Sequence, residues 1–183
     1  MRTLAALLPL LLVGCLLPGR RSDPVVYHAF SVPPAAATKP RPTVHVPRAV
    51  LPAGLRRPSL VIESEGSTRV EDSHRWLGPL ESTLPEAIGR RVSALTGLPC
   101  TSQPPPEDHL VLLIEVLRMD VVDARARLRL RLRVELSDGK RGAEGEYEWL
   151  SPLAGPSAGE FVAAQSANLD QAAASLVPFL TSQ

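Results

Sequence analysis

The chain has 183 residues, with 20 Lys+Arg against 19 Asp+Glu, 44% apolar and only 4% aromatic residues. That length and apolar content suit one domain with a real core and argue against global disorder. A formal net charge of +1 lacks the basic excess with which a nucleic-acid binder displaces phosphate counterions, and two cysteines, Cys15 and Cys100, are too few for a disulfide framework or a zinc cluster.

Met1-Arg2-Thr3 is a short basic start, and Leu4–Val13 is an apolar run of ten residues, the size of a signal-peptide core. Extended to Leu17 it covers about 21 Å as a helix, short of the roughly 30 Å of a bilayer's hydrocarbon. The run ends in Leu12-Val13-Gly14-Cys15, which resembles the lipobox of bacterial lipoproteins. In that pattern the cysteine thiol takes up a diacylglyceryl group, and the small residue before it lets a peptidase reach the bond. The expectation is a signal peptide over 1–14 and a lipidated tether over 15–23, with Cys15 as the lipid anchor. The mature domain, 24–183, then sits on a membrane by its acyl chains without crossing it. Leu16 stands where an aspartate retains enteric lipoproteins at the inner membrane, so the outer membrane is the expected location. Cys100 is then left without an intrachain partner.

Downstream, a first strand is expected at about 25–32 and a second around 43–50, separated by a Pro/Ala stretch marked by Pro33, Pro34, Pro40, Pro42 and Pro47. Apolar runs at 59–63 and 68–71 bracket a turn at Glu65-Gly66-Ser67. Leu80, Leu84, Ile88, Val92 and Leu95 share one helical face. Pro85 interrupts that face, and Thr83-Leu84-Pro85-Glu86 reads as a capping box, so a kink or restart is expected near Thr83, with Gly97 closing the helix. His74-Arg75-Trp76 reads as a helix-start motif. Pro104-Pro105-Pro106 marks a loop.

Residues 109–123 are strongly apolar, and 124–137 alternate. Ala124, Ala126, Leu128, Leu130, Leu132, Val134 and Leu136 point one way, and five arginines with Glu135 and Ser137 point the other. Asp138-Gly139 is expected to form a type I′ hairpin turn. Ser137 then faces Lys140, Arg133 faces Glu144, Arg131 faces Glu146 and Arg129 faces Glu148, while Leu130 meets Tyr147 and Leu128 meets Trp149. The arginines thus read as a solvated face matched across the hairpin, with Arg125 and Arg127 unassigned. A last helix follows the capping box Ser157-Ala158-Gly159-Glu160. It has a stripe of Val162, Leu169, Ala173, Leu176 and Leu180 and a small face of Ala163, Ala164, Ala172 and Ala174.

The four histidines, His28, His45, His74 and His109, have no metal-ligand spacing, and no nucleophile elbow, P-loop or dinucleotide fingerprint is present. No catalytic residue, cofactor site or metal site is legible. A hydrolytic pair would have to be Ser73 or Ser67 with His74.

Several short motifs occur in a fixed order: Tyr27-His28-Ala29-Phe30; Val44, Val46, Val50, Leu51-Pro52, Leu55, Arg57, Pro58; and His74-Arg75-Trp76 with Pro79-Leu80. Behind a lipobox, this order resembles the ABC-type transport auxiliary lipoproteins, the family of paraquat-inducible protein C. Gly78, Glu63-Ser64 and Pro85 depart from the family's pattern. The resemblance implies one compact α/β (α+β) domain, a largely antiparallel sheet with two amphipathic helices packed on it, in agreement with the strands and helices read above. It also implies a non-enzymatic accessory of intermembrane lipid transport. The partners would be an MCE-domain protein and an ABC transporter permease, and a homo-oligomer is compatible with docking on a ring. His74, Arg75, Trp76, Pro79 and Leu80 are then partner or structural residues. A domain that itself holds an acyl chain between sheet and helices is the alternative, and an envelope hydrolase a third.

Overall fold

The computed structural model describes residues 23–34, 42–64 and 66–181. The lipobox and most of the tether lie outside them. Eight strands form one mixed, mostly antiparallel sheet: β1 Val26–His28, β2 Thr43–His45, β3 Ser59–Ser64, β4 Ser67–Trp76, β5 Cys100–Thr101, β6 His109–Val122, β7 Arg125–Leu136 and β8 Arg141–Pro152. The helices are α1, Leu80–Thr96, and α2, Ala158–Thr181.

The spine is β6. On one side it pairs antiparallel with β7, and β7 with β8. Its other edge is shared by three segments: β2 at Thr43↔His109, Val50 bridged to Glu115, and β3 at Ser64↔Val121. Beyond β3 come β4, antiparallel, and β1, parallel to β4.

Alternation fixes which face is buried. Leu110, Leu112, Ile114 and Val116 of β6 and Ala126, Leu128, Leu130, Leu132 and Val134 of β7 lie at 3% exposure or less, against Phe161, Leu169, Ala173, Leu176 and Leu180 of α2. A register shift between Val116 and Arg118 changes the phase, so Met119 and Asp120 are both buried. Ala124 and Leu136, expected inward, lie at the strand ends and are exposed.

The expected register of the arginine strand is the observed one: Arg133↔Glu144, Arg131↔Glu146, Leu130↔Tyr147, Arg129↔Glu148 and Leu128↔Trp149. The turn differs. Only Gly139 has positive φ (82°), its N–H donates to Leu136 O at 2.9 Å, and Leu136 N–H donates to Lys140 O at 2.9 Å. This is a three-residue loop rather than a type I′ turn, and Ser137 N–H goes to His109 O instead of pairing with Lys140. Glu135 pairs with Arg141, and a bulge between Arg133 and Glu135 accounts for the one-residue difference from the register of the rest of the hairpin. The type I′ geometry appears at the other hairpin, where Asp123 (φ 48°) and Ala124 (φ 56°) join β6 to β7.

Of the three expected cross-strand matches, Arg131 with Glu146 forms as an ion pair, while Arg129 and Arg133 take other carboxylates. Arg131 bonds Glu146 and Glu115, Arg129 reaches diagonally to Glu146, and Arg133 turns to Glu135 on its own strand. Arg127 finds the buried Asp120 directly opposite on β6 in a two-point contact of 2.7 and 2.6 Å.

In α1 the buried stripe is Leu80, Leu84, Ile88 and Val92, but Leu95 is 56% exposed and Thr96 takes the next place. Thr96 Oγ1 donates to Val92 O at 2.7 Å and accepts from Leu98 N–H, so its hydroxyl is satisfied inside the core. Gly97 closes the helix in the left-handed region, at φ 73°. The helix starts at Leu80 behind Pro79, not at Thr83. No capping box forms, and Thr83 Oγ1 is buried without a hydrogen-bond partner among the described residues. Pro85 sits inside one continuous helix. Its missing N–H would have served Glu81 O, and that carbonyl instead accepts from Ala49 N–H at 2.8 Å.

At the start of α2, Ser157 Oγ accepts from Glu160 N–H at 3.2 Å, as expected of a cap. The expected stripe is buried, but of the small face only Ala164 and Ala172 are, while Ala163 and Ala174 face solvent. Gln165 and Asn168 are instead fully buried and donate to Arg127 O and Ala126 O of β7. Arg91 ties the helices together, donating to Asp170 Oδ1, Ala87 O and Ser166 O.

Candidate functional site

The motif residues His74, Arg75, Trp76, Pro79 and Leu80 occupy one corner, where β4 ends and α1 begins. Pro79 and Leu80 do begin α1, but the first three are not a helix start. His74-Arg75-Trp76 is the last part of β4, because β1 pairs with it: Val26↔His74, Tyr27↔Arg75 and His28↔Trp76. Main-chain bonds close the corner, with Trp76 N–H donating to Pro58 O at 2.9 Å and Leu77 N–H to His28 O at 2.8 Å. Pro79 then precedes the first turn, and its carbonyl accepts from Ser82 and Thr83 N–H.

Each side chain has a distinct place. Trp76 is 5% exposed and packs against Phe30 with ring centroids 4.9 Å apart, so the corner is anchored by two aromatic rings in the core. Leu80 is buried beside them in the same core. His74 Nδ1 lies 2.8 Å from His28 Nε2, one nitrogen donating and the other accepting. Burial, and then the charge of His74, hold the His28 imidazole below the usual histidine value. Arg75 Nε is buried with no hydrogen-bond partner among the described residues. The sequence motif therefore reads as the hinge of the β1–β4–α1 corner. The His28–His74 contact was not legible in advance, because it depends on a parallel pairing across 46 positions.

Two grooves border α1. The smaller, of about 230 Å³, adjoins the corner and includes Ala29, Phe30, Val32 and Leu77. The larger, of about 740 Å³, lies away from it between α1, β5 and residues 46–48, with Arg48, Gly89 and Cys100 in its walls. Both are open furrows flanking the Glu86–Arg90 ion pair. Cys100 is a free, half-buried thiol, and burial pushes its pKa up to about 12, so it is no ready nucleophile.

The serine–histidine pairs of a hydrolase are not assembled. Ser73 and His74 are successive strand residues with side chains on opposite faces, and Ser67 Oγ donates to Ser64 O in the far turn. Among the described residues no group of three or more His, Cys, Asp or Glu side chains is placed to hold a metal ion, and no helix is long and apolar enough to cross a membrane.

The family model described as "ABC-type transport auxiliary lipoprotein component" matches residues 29–177, from the corner into the last turns of α2. The chain belongs to this family. Two crystal structures share the fold of this auxiliary lipoprotein component. One, of an uncharacterized protein, has a TM-score of 0.71 at 15% identity, over 85% of this chain and 98% of the other. The second, protein XCC0632 from Xanthomonas campestris, has a TM-score of 0.67 at 19% identity, over 86% and 97%. No curated protein matches the sequence.

Proposed function

We propose that the mature protein is a non-enzymatic adaptor of an intermembrane lipid-transport system. Acyl chains on Cys15 hold it on the periplasmic face of the outer membrane, residues 15–23 form the tether, and the domain from residue 24 docks the end of an MCE-protein conduit whose inner-membrane end is served by an ABC permease. The observation that carries this reading is the family match over residues 29–177, set directly behind the Leu12-Val13-Gly14-Cys15 signal. The packing favours docking over carriage of lipid by the domain itself. The space between sheet and helices is filled by Leu112, Leu128, Leu130, Phe161, Leu169 and Leu176, all at 2% exposure or less. An acyl chain would have to displace them.

Two measurements test the proposal. Intact-mass analysis of the membrane-extracted protein should show diacylglyceryl and acyl additions on a chain that begins at Cys15. Co-purification in mild detergent should recover an MCE protein. An unmodified N-terminus removes the anchor, and extraction that preserves the conduit but never brings this protein with it removes the docking role.

A further inference from the structure

Val25, Val26, Tyr27, Val32 and Leu77 are all large apolar side chains left 42–69% exposed. The remaining exposed ones are spread over separate elements, whereas these five gather at β1 and its flanks. The Leu77 N–H bond to His28 O seats Leu77 at the end of β1, and Val32 and Leu77 line the same furrow with Ala29 and Phe30. Exposed apolar side chains gathered in this way mark a contact surface.

The occupant follows from where the chain leads. Eight peptide steps separate Cys15 from Asp23, which span at most about 28 Å when extended and roughly 16 Å as a flexible coil. That stretch contains Arg20 and Arg21. The groups nearest the β1 edge are Arg75, His28 and His74, with Arg90 held by Glu86 beside the furrow and Asp23 and Asp72 as the acidic neighbours. With Arg90 matched by Glu86, the fixed cations Arg20, Arg21 and Arg75 stand against Asp23 and Asp72, so the sequence where the tether meets the fold carries one more fixed cation than acids. The outer edge of β1 is unpaired among the described strands. Its free N–H and C=O groups are satisfied in a hydrated headgroup layer but not in hydrocarbon, which sets the depth. A tyrosine ring suits that same level.

We infer that the β1 edge is the face by which the anchored domain lies on a lipid surface, with Tyr27 and Leu77 among the headgroups. This orientation rests on acylation at Cys15 and adds to it a fixed pose. It leaves the β7–β8 turn as a separate surface, at the far end of a different hairpin.

The test uses the full lipidated protein in vesicles of phosphatidylcholine and phosphatidylglycerol that carry a headgroup nitroxide. A fluorophore is attached at Leu77→Cys or, as the reference, at Leu136→Cys, each in a Cys100→Ser background. Both positions are exposed, so the fold tolerates them. The inference expects quenching at the first site to exceed that at the second several-fold. Equal quenching, or an unquenched probe at position 77 on protein that still floats with the vesicles, overturns the pose and reserves this face for a protein partner. Protein that fails to float overturns the anchor itself, and the pose with it.

Discussion

Replacing Asn168 by aspartate exchanges one NH₂ for an oxygen at a site of zero exposure. Asn168 Nδ2 donates to Ala126 O at 2.9 Å and to Gln165 Oε1 at 3.1 Å, and its Oδ1 has no partner among the described residues. In Asn168→Asp two acceptors lose their donor, at about 1–3 kcal/mol each. A carboxylate would also face two oxygens in the core, so burial raises its pKa, by about 2–3 units for a site of this kind. The protonated carboxyl restores one donor, to Ala126 O, and the variant is least destabilised in acid. Its native state then binds the proton more tightly than its unfolded state, so its stability falls as pH rises from the unfolded value near 4 through the raised native value. At about 1.4 kcal/mol per unit, the deficit against wild type grows by roughly 3–4 kcal/mol between pH 4 and pH 8. The total is comparable with a domain's whole stability of about 5–15 kcal/mol. Urea titration at several pH values, read by the fluorescence of buried Trp76 and Trp149, measures it. A deficit that does not change with pH would refute the reasoning.

Other positions give independent tests. A Cβ at Gly145 would meet the Tyr147 ring at 2.8–2.9 Å, and that ring stacks on Trp149 with centroids 5.9 Å apart. Gly145→Ala should therefore cost about 1–3 kcal/mol and alter the near-ultraviolet circular dichroism, and adding Tyr147→Leu should recover most of the loss. Because His28 titrates below its ordinary value, the unfolded state takes up its proton first as pH falls below about 6.5, and the corner loses stability there. His28→Gln should flatten that part of the stability profile, and an unchanged profile counts against the coupling. With its pKa near 12, Cys100 should alkylate at pH 8 about a thousandfold more slowly in the folded protein than in urea, as timed by mass spectrometry.

The β7–β8 register was legible because two independent patterns, alternation and charge, select one alignment, and a one-residue slip would break both. The turns were not. Asp138-Gly139 has the composition of a type I′ turn but adopts another loop, while Asp123-Ala124 adopts type I′ with no glycine to announce it. The Pro85 kink failed for a non-local reason: the donor that replaces the lost bond comes from Ala49, far back in the chain. Gln165 and Asn168 are polar residues on an apolar helix face, and nothing local indicates that strand carbonyls await them. At the corner, the sequence placed Trp76, Pro79 and Leu80 together. It assigned His74–Trp76 to the wrong element, because a three-residue parallel partner such as β1 leaves almost no periodic trace.

The shared edge of β6 has a consequence for how the protein comes into being. A ribosome delivers the N-terminal half first, yet β2 and β3 both rest on a strand that ends at Val122. The stretch from 109 to 152 is a meander of neighbouring hairpins that can close on itself quickly. The β3–β4 hairpin can close locally, but the seats of β2 and β3 on β6 must wait, with Val44 and Leu60 not yet fully covered and prone to stray association. Pairing in the sheet thus proceeds from the late-arriving strands backward to β2 and β3.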